Sequence, residues 1–152
     1  MDGYQTRIRY FDGHSRDALI REHEVPFPDG RLIVSRTDTC GIITHCNQAF
    51  VEMSGYPERE LIGQPHSILR HPDMPRAAFQ DLWETVQAGR IWHGHVKNLR
   101  KDGSCYWVLA TVIPNVRHGR IAGYTSVRRK PARSRIHESI ALYARLREAE
   151  NP

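Results

Sequence analysis

The sequence has few cysteines and no CxxC pair. Its three cysteines, Cys40, Cys46 and Cys105, are odd in number and lack the spacing of a zinc or dithiol site, so reduced thiols fit better than a disulfide scaffold. No apolar stretch approaches the roughly 20 residues that span a bilayer, and the N-terminus lacks the apolar core of a secretory signal. We therefore expect a soluble, cytoplasmic chain without a metal finger.

Recognised catalytic spacings are also absent from the sequence. It contains nine histidines and 17 acidic residues, but no Ser/His/Asp or Cys/His nucleophile arrangement. An enzyme is therefore not expected. The formal net charge is +5, and a basic cluster follows the last apolar strand at 128–135. We interpret this cluster as a solvated linker rather than a nucleic-acid site.

The composition is that of an ordinary globular protein. With 152 residues, 39% hydrophobic and 26% charged, the chain is long enough for one compact domain with flanking elements. The prolines and glycine of VPFPDG mark the domain entrance. We predict an N-terminal cap at 1–30, a central domain at 31–130 and a C-terminal exit helix or linker at 131–152. Within the cap, a short helix is expected between Ser15 and Glu24.

The central domain alternates short strands and helices. A hairpin is predicted at 31–37 and 41–45, then a helix capped by Asn47 and closed by Gly55, one helical turn at 57–62 and a longer helix around 79–86. Strands at 91–100, 105–114 and 121–129 then form a meander. This order predicts an α+β domain whose antiparallel sheet carries helices on one face.

The segment QPHSILRHPDMPRAAF, residues 64–79, has an unusual density of polar and proline residues. Pro65, Pro72 and Pro75 make it a shaped connection rather than one helix, since proline fixes φ and removes a backbone donor. It is either a surface loop with a helix cap near Asp73 and Pro75, or a ligand-facing loop in which Arg70, His71 and Asp73 meet a polar or anionic small molecule. The segment alone does not favour one over the other.

The strand at 91–100 supplies a reason for a ligand. Its period of two places Trp92, Gly94, Val96 and Asn98 on one face, which is apolar until Asn98. A buried amide without a partner costs about 1–3 kcal/mol, so Asn98 must meet a backbone group or a ligand. Gly94 on the same face leaves room for a ligand.

Three segments of the sequence resemble a known protein family. The segments GIITHCNQAFVEMSGYPERELIGQPHSILRHPDMP, IWHGHVKNLRKDGSCYWVLATVIP and GRIAGYTSVR resemble a PAS domain over 31–130. Within PAS domains, RHPDMPRAAF and WHGHVKNLRKDG resemble the flavin-binding sensor domain of bacterial aerotaxis receptors. The resemblance implies a five-stranded sheet of strand order 2-1-5-4-3 and a pocket that holds FAD non-covalently.

The resemblance also implies the site. The family's cofactor region corresponds to Asn47 on the first helix, His66, Arg70, His71 and Asp73 on the loop, and Trp92 and Asn98 on the strand. Asn98 would bond the polar edge of the flavin and Trp92 would pack against a ring, while Arg70 would pair with the pyrophosphate. For His71 and Asp73, support of the loop is as good an interpretation as direct contact with FAD.

The implied function is redox or oxygen sensing, with the flavin's redox state passed to an output module or partner protein. A homodimer through the cap, the sheet face or the exit helix is a further expectation, whereas contact with nucleic acid or direct insertion into a membrane is not. The family's receptors continue into a membrane anchor, so a longer receptor would be tethered to the inner membrane. Ile136, Ile140, Tyr143 and Leu146 have the helical spacing of an exit helix.

The resemblance also indicates what the domain is not. Light-oxygen-voltage domains carry a reactive cysteine near the position of His66, and Val108 and Val127 stand where those domains have asparagine and glutamine. Two alternatives remain open. One is a haem-binding gas sensor with His66 or His71 as axial ligand. The other is a ligand-free interaction module that uses Trp107 and Leu109 on the outer sheet face.

Overall fold

A β-hairpin precedes the central domain in the computed structural model, which describes residues 3–9 and 15–150. Its strands are β1 (Gly3–Arg9) and β2 (Ser15–Arg21), paired antiparallel. The helix expected between Ser15 and Glu24 is therefore wrong. Burial alternates along β2, where Ile20 is 2% exposed and Leu19 is 42% exposed, as a strand requires. Residues 10–14 of the predicted cap lie outside the described residues.

Five further strands form the central sheet, and each was expected from the sequence. They are β3 (Ile33–Thr37), β4 (Ile43–Cys46), β5 (Trp92–Leu99), β6 (Cys105–Arg117) and β7 (Arg120–Arg129). All neighbours pair antiparallel in the order β4-β3-β7-β6-β5. Numbered within this sheet alone, that order is 2-1-5-4-3. The predicted α+β class and strand order are thus confirmed.

Three helices and a 3₁₀ turn connect β4 to β5. They are α1 (Gln48–Ser54), α2 (Glu58–Leu61), the 3₁₀ turn His66–Leu69 and α3 (Arg76–Gln87). The capping roles predicted for Asn47 and Gly55 are confirmed, since the Asn47 side chain accepts from the Phe50 N–H and Gly55 has φ 76°. These elements cover one face of the sheet, which we call the inner face.

The core lies between this inner face and the helices. Phe50 and Leu61 from the helices meet Ile33, Tyr106 and Val108 from the strands, and all five are fully buried. Burial of each such apolar side chain contributes about 1.5–3 kcal/mol. A smaller cluster of Ile8, Ile20 and Leu99 attaches the hairpin to β5. The hairpin is thereby fixed at the end of β5.

The exit helix α4 (Arg133–Glu150) packs on the opposite, outer face. The Tyr143 ring stacks on Trp107 with centroids 6.3 Å apart, and its hydroxyl donates to the His95 carbonyl at 2.6 Å. Trp107 is only 4% exposed, so the apolar surface expected there for a partner is covered by the chain's own helix. None of the described helices is long and apolar enough to cross a membrane.

Candidate ligand-binding site

A cavity of about 1030 Å³ lies between the inner face of the sheet and the helical segment. Its size is at the upper end of the roughly 300–1,000 Å³ of small-molecule pockets. Phe79, Trp83 and Val86 of α3 form one wall, and Val96 and Ala110 of the sheet form the opposite wall. The walls are therefore largely aromatic and aliphatic, which suits a flat ligand with a polar edge.

Four of the seven residues predicted from the sequence line this cavity. They are His66, Arg70, Trp92 and Asn98. The remaining three do not line it: Asn47, His71 and Asp73. The structure thus brings the loop and β5 together, as expected, but divides the seven residues into a lining set and a supporting set.

Asn98 has the position that the sequence predicted. It is 3% exposed, and its backbone bridges to Arg70, so the loop lies directly beside the strand. The Asn98 Nδ2 has no hydrogen-bond partner among the described residues. A buried amide in this condition costs about 1–3 kcal/mol. The cavity therefore presents a donor that a ligand acceptor would satisfy.

Trp92 forms part of the cavity wall, but Gly94 does not leave the space that was expected. The Trp92 ring lies over Gly94, where an added Cβ would come within 2.3 Å of the indole. Trp92 Nε1 donates to the Asp81 carboxylate on α3 at 2.9 Å, which fixes the ring in this orientation. The absence of a side chain at Gly94 therefore makes room for the Trp92 ring and not for a ligand.

Arg70 is buried between the loop and α3. Its guanidinium lies 4.7 Å from the centre of the Phe79 ring, and Nη2 donates to the Met74 carbonyl at 3.3 Å. A cation over an aromatic face contributes about 2 kcal/mol or more when desolvated. Arg70 thus brings positive charge to the cavity edge while it holds the loop against α3.

His71 and Asp73 support the loop. The Asp73 N–H donates to His71 Nδ1 at 3.0 Å, and Lys97 Nζ donates to the Asp73 carboxylate at 2.7 Å. Burial and the Lys97 charge lower the pKa of His71 to about 4. Burial acts to raise the pKa of Asp73, but the Lys97 hydrogen bond and charge outweigh it, so this pKa lies below its usual value. A neutral histidine and an ionised aspartate together attach the loop to β5.

Asn47 lies away from the cavity lining. Its Oδ1 accepts from the N–H groups of Val34 and Phe50, both at 3.1 Å, and its Nδ2 donates to the Leu32 carbonyl at 2.9 Å. All three of these hydrogen bonds go to the backbone. Its place in the structure is to join α1 to β3.

The sequence reasoning missed a buried polar group on β7. Tyr124, Ser126 and Arg128 face the cavity, so Val127, which was expected to stand at a ligand-facing position, lies on the other face. One residue of register reverses the face of every side chain on a strand. Strict alternation along β7 would have identified Arg128. Its guanidinium donates to Ser35 Oγ at 2.8 Å and to His66 Nε2 at 2.5 Å.

His66 is neutral in this arrangement. Burial and the neighbouring Arg128 charge lower the pKa of His66 to about 3. Its Nε2 accepts from Arg128, so the proton is on Nδ1. His66 is therefore engaged by a cation, and His71 does not line the cavity.

The N-terminal hairpin also contributes to the cavity, which the sequence did not indicate. Ser15 and Arg16 of β2 line it, and Arg16 Nη2 donates to the Ile68 carbonyl at 2.8 Å. The contact joins the hairpin to the 3₁₀ turn at the cavity edge. The site is thus built from the hairpin, the loop, α3 and the sheet.

Comparisons with known proteins agree with this architecture. A family model described as PAS fold matches residues 43–128. The aerotaxis receptor of Escherichia coli is 46% identical over 132 residues, which is 87% of this chain and 26% of the receptor. The nitrogen fixation regulatory protein of Klebsiella pneumoniae is 30% identical over 135 residues, 86% of this chain and 26% of that protein. The chain spans about a quarter of the length of these relatives.

Solved structures show the same fold. The light state of the blue-light photoreceptor Aureochrome1 LOV matches with a TM-score of 0.64 at 21% identity, covering 70% of this chain and 90% of that one. A PAS domain from Colwellia psychrerythraea matches with a TM-score of 0.60 at 24% identity, covering 66% of this chain and 86% of that one. With the family match over 43–128 and the five-stranded sheet in its order, the chain belongs to the PAS family.

Proposed function

We propose that this PAS domain binds FAD non-covalently in the cavity and signals the flavin's redox state to an output module or partner protein. One observation supports this proposal most strongly. The cavity has aromatic and aliphatic walls, and the Asn98 Nδ2 at the inner face has no hydrogen-bond partner among the described residues. A flat ring with polar acceptors along one edge meets both requirements. The resemblance of the sequence to flavin-binding sensor domains of aerotaxis receptors supports a flavin in particular, and the chain is 46% identical to one such receptor over 132 residues.

The lining residues fit a flavin in separate ways. Asn98 would donate Nδ2 to a ring acceptor, and Trp92 would close the side of the cavity with its fixed indole. Arg70 and Arg16 would supply positive charge for the phosphates at the edge of the site. The large cavity favours a dinucleotide over a smaller flavin. When bound, the flavin supplies reversible acceptance of electrons, while the chain binds it, orients it and excludes water.

The supporting residues would carry the signal. Asp73 is bonded to Lys97 on β5, next to Asn98, and its carbonyl accepts from Arg147 on α4. A change in hydrogen bonding at Asn98 would therefore reach the exit helix through the loop. In this proposal 31–130 is the sensor domain, 1–30 is its cap and 131–152 is the connection to the output. Signalling rather than turnover is the activity, with a homodimer as one form of the output.

An absorption spectrum of the purified protein tests the cofactor. The expected result is the two bands of oxidised flavin, which dithionite bleaches and air restores. Release by heat and chromatography against standards would identify FAD. A colourless protein from a flavin-replete host would contradict the proposal, and a Soret band would indicate haem instead.

Variants test the assigned contacts. Asn98→Ala and Arg70→Ala are each expected to reduce FAD affinity about tenfold, because each removes a buried polar contact. Asn115→Ala and Arg100→Ala are matched controls. Asn115 lies outside the cavity with its Oδ1 accepting from Thr125, and Arg100 bonds the Met53 carbonyl. Equal FAD retention by Asn98→Ala, Arg70→Ala and the wild type, measured after gel filtration, would remove both residues from the site.

A further inference from the structure

Arg128 brings a positive charge to the wall of the cavity. The residue is 2% exposed, and its guanidinium lies 5.1 Å from the centre of the Phe50 ring. Its Nη2 is engaged by Ser35 and His66, but Nη1 has no hydrogen-bond partner among the described residues. The guanidinium is thus held in one orientation, with the N–H donors of Nη1 unused.

No carboxylate compensates this charge within the described chain. The polar groups beside it are neutral at pH 7: the Ser35 hydroxyl, the His66 imidazole, whose pKa is lowered to about 3, and the Tyr106 hydroxyl, whose pKa burial raises to about 12. Burial lowers the pKa of Arg128 to about 10, which still leaves it charged at neutral pH. Removing an ion from water costs several kcal/mol unless an opposite charge is near.

Other arginines of the chain are placed differently. Arg100 lies 3.5 Å from Asp102, Arg133 lies 2.7 Å from Glu24 and Arg76 lies 3.6 Å from Glu150. Each of these has a carboxylate and more solvent contact than Arg128. Arg128 is therefore the most buried of these four arginines, and it is the one that has no carboxylate partner among the described residues.

We propose that Arg128 is the counter-charge for a ligand group that lies beside it in the cavity and carries or takes up negative charge. Ser35 and His66 are its positioning residues. The inference rests on the proposed function, and it makes Arg128 the residue that favours the reduced ligand over the oxidised one. When bound, a flavin would supply reversible uptake of two electrons and one proton, which adds one negative charge to a neutral ring. Arg128, held by Ser35 and His66, would favour that charge with a fixed N–H donor, so that no second proton is needed.

Arg128→Met and Arg128→Gln test this assignment, with Arg128→Lys as the charge-conserving variant. Arg129→Gln is the matched control, because Arg129 is the next residue on β7 and is exposed. The midpoint potential of the bound flavin is measured with dithionite as electron donor and a reference dye. In Arg128→Met and Arg128→Gln the preference for reduced over oxidised flavin should fall at least tenfold, which is about 30 mV for a two-electron couple.

Arg128→Lys and Arg129→Gln should stay near the wild-type potential. If the potentials of Arg128→Met, Arg128→Gln and the wild type coincide with flavin bound, the inference is overturned. An Arg128→Lys potential equal to that of Arg128→Met would also contradict it, since a charge would then make no difference.

Thermal unfolding of the flavin-free proteins decides the inference independently of the cofactor. Without a ligand, Arg128→Met should unfold at a higher temperature than the wild type, because an uncompensated cation is replaced by an apolar side chain of similar length. Arg129→Gln should not change the unfolding temperature. A lower unfolding temperature for Arg128→Met would show that the chain itself compensates the charge, which overturns the inference. If the wild type never binds flavin, only the proposed function is contradicted. The unfolding temperatures of Arg128→Met and the wild type would still decide the role of Arg128.

Discussion

His66 and His71 are kept neutral by burial and by neighbouring cations, Arg128 in one case and Lys97 in the other. Their folded pKa values of about 3 and about 4 lie below the ordinary 6.5. The unfolded chain therefore takes up protons that the folded chain cannot. Stability from this source is complete above about pH 6.5 and falls as the pH drops towards 4, by up to about 1.4 kcal/mol per pH unit for each histidine.

Replacing His71 should flatten this pH dependence. The free energy of unfolding should fall less steeply between pH 6.5 and 4.5 in His71→Gln than in the wild type. The two slopes should differ by up to about 1.4 kcal/mol per pH unit, because the unfolded variant no longer takes up a proton at position 71. Urea unfolding at several pH values measures the slope. His137→Gln, at an exposed position on α4, is the control. The same slope in His71→Gln and the wild type would contradict the assignment of a depressed pKa.

Single residues also mark the limit of sequence reasoning. The burial of Asn98 follows from the period of two on β5 and is found in the structure. The same rule applied to β7 identifies Arg128, but alignment to light-sensing relatives placed Val127 at the ligand-facing position instead. Alternation is a local geometric rule, whereas an alignment can slip by one residue. Gly94 could not be interpreted because its partner Trp92 is on the same strand and the ring's direction depends on Asp81 of α3.

At the scale of elements, α3 begins without a cap from its own sequence. Its N-cap residue is Pro75, which has no side-chain donor or acceptor, and Asp73 does not serve as the cap. The Glu150 carboxylate instead accepts from the N–H groups of Arg76 and Ala77, at 2.9 and 2.8 Å. A negative charge at this end also suits the helix dipole. The last residue of α4 thus completes the first turn of α3.

Glu150→Ala should destabilise the protein by about 1 kcal/mol, the usual cost of a lost helix cap. The free energy of unfolding in urea measures the change. Glu148→Ala is the matched control, because Glu148 is an exposed carboxylate on the same turn of α4. Equal stabilities of the two variants would contradict the capping of α3 by Glu150.

The hairpin of β1 and β2 is the element that sequence reasoning missed. Ala18, Leu19 and Ile20 were interpreted as a helical stripe, but a strand needs only alternate residues to be buried. The Arg21 N–H donates to the Gly103 carbonyl at 2.8 Å, in the turn between β5 and β6. That anchor is more than 80 residues away in the sequence. The strands themselves pair locally, β1 with β2, so the error came from interpreting consecutive apolar residues as a helix and not from a hidden strand partner. The capped helix α1 and the meander were predicted correctly.

At the scale of the molecule, one loop connects the cavity to both ends of the fold. Arg70 on the loop lies beside Asn98, Asp73 is bonded to Lys97 on β5, and the Asp73 carbonyl accepts from Arg147 on α4. The outer face of the sheet is joined to the same helix through Tyr143 and Trp107. The exit helix therefore contacts the site's supporting residues and the sheet together.

Arg147→Ala should therefore weaken flavin binding although Arg147 is absent from the cavity lining. If flavin binding and the docking of α4 are coupled, linkage requires that each change the other's equilibrium by the same factor, typically 5- to 150-fold for coupled sites. We expect the flavin Kd to rise about fivefold or more in Arg147→Ala. Hydrogen exchange of the last turns of α4 should be slower with flavin bound than without it, and this difference should shrink in the variant. Arg145→Ala, an exposed arginine on the same helix, is the control. Equal flavin Kd values for the Arg147 and Arg145 variants would show that α4 packs on the domain without responding to its ligand.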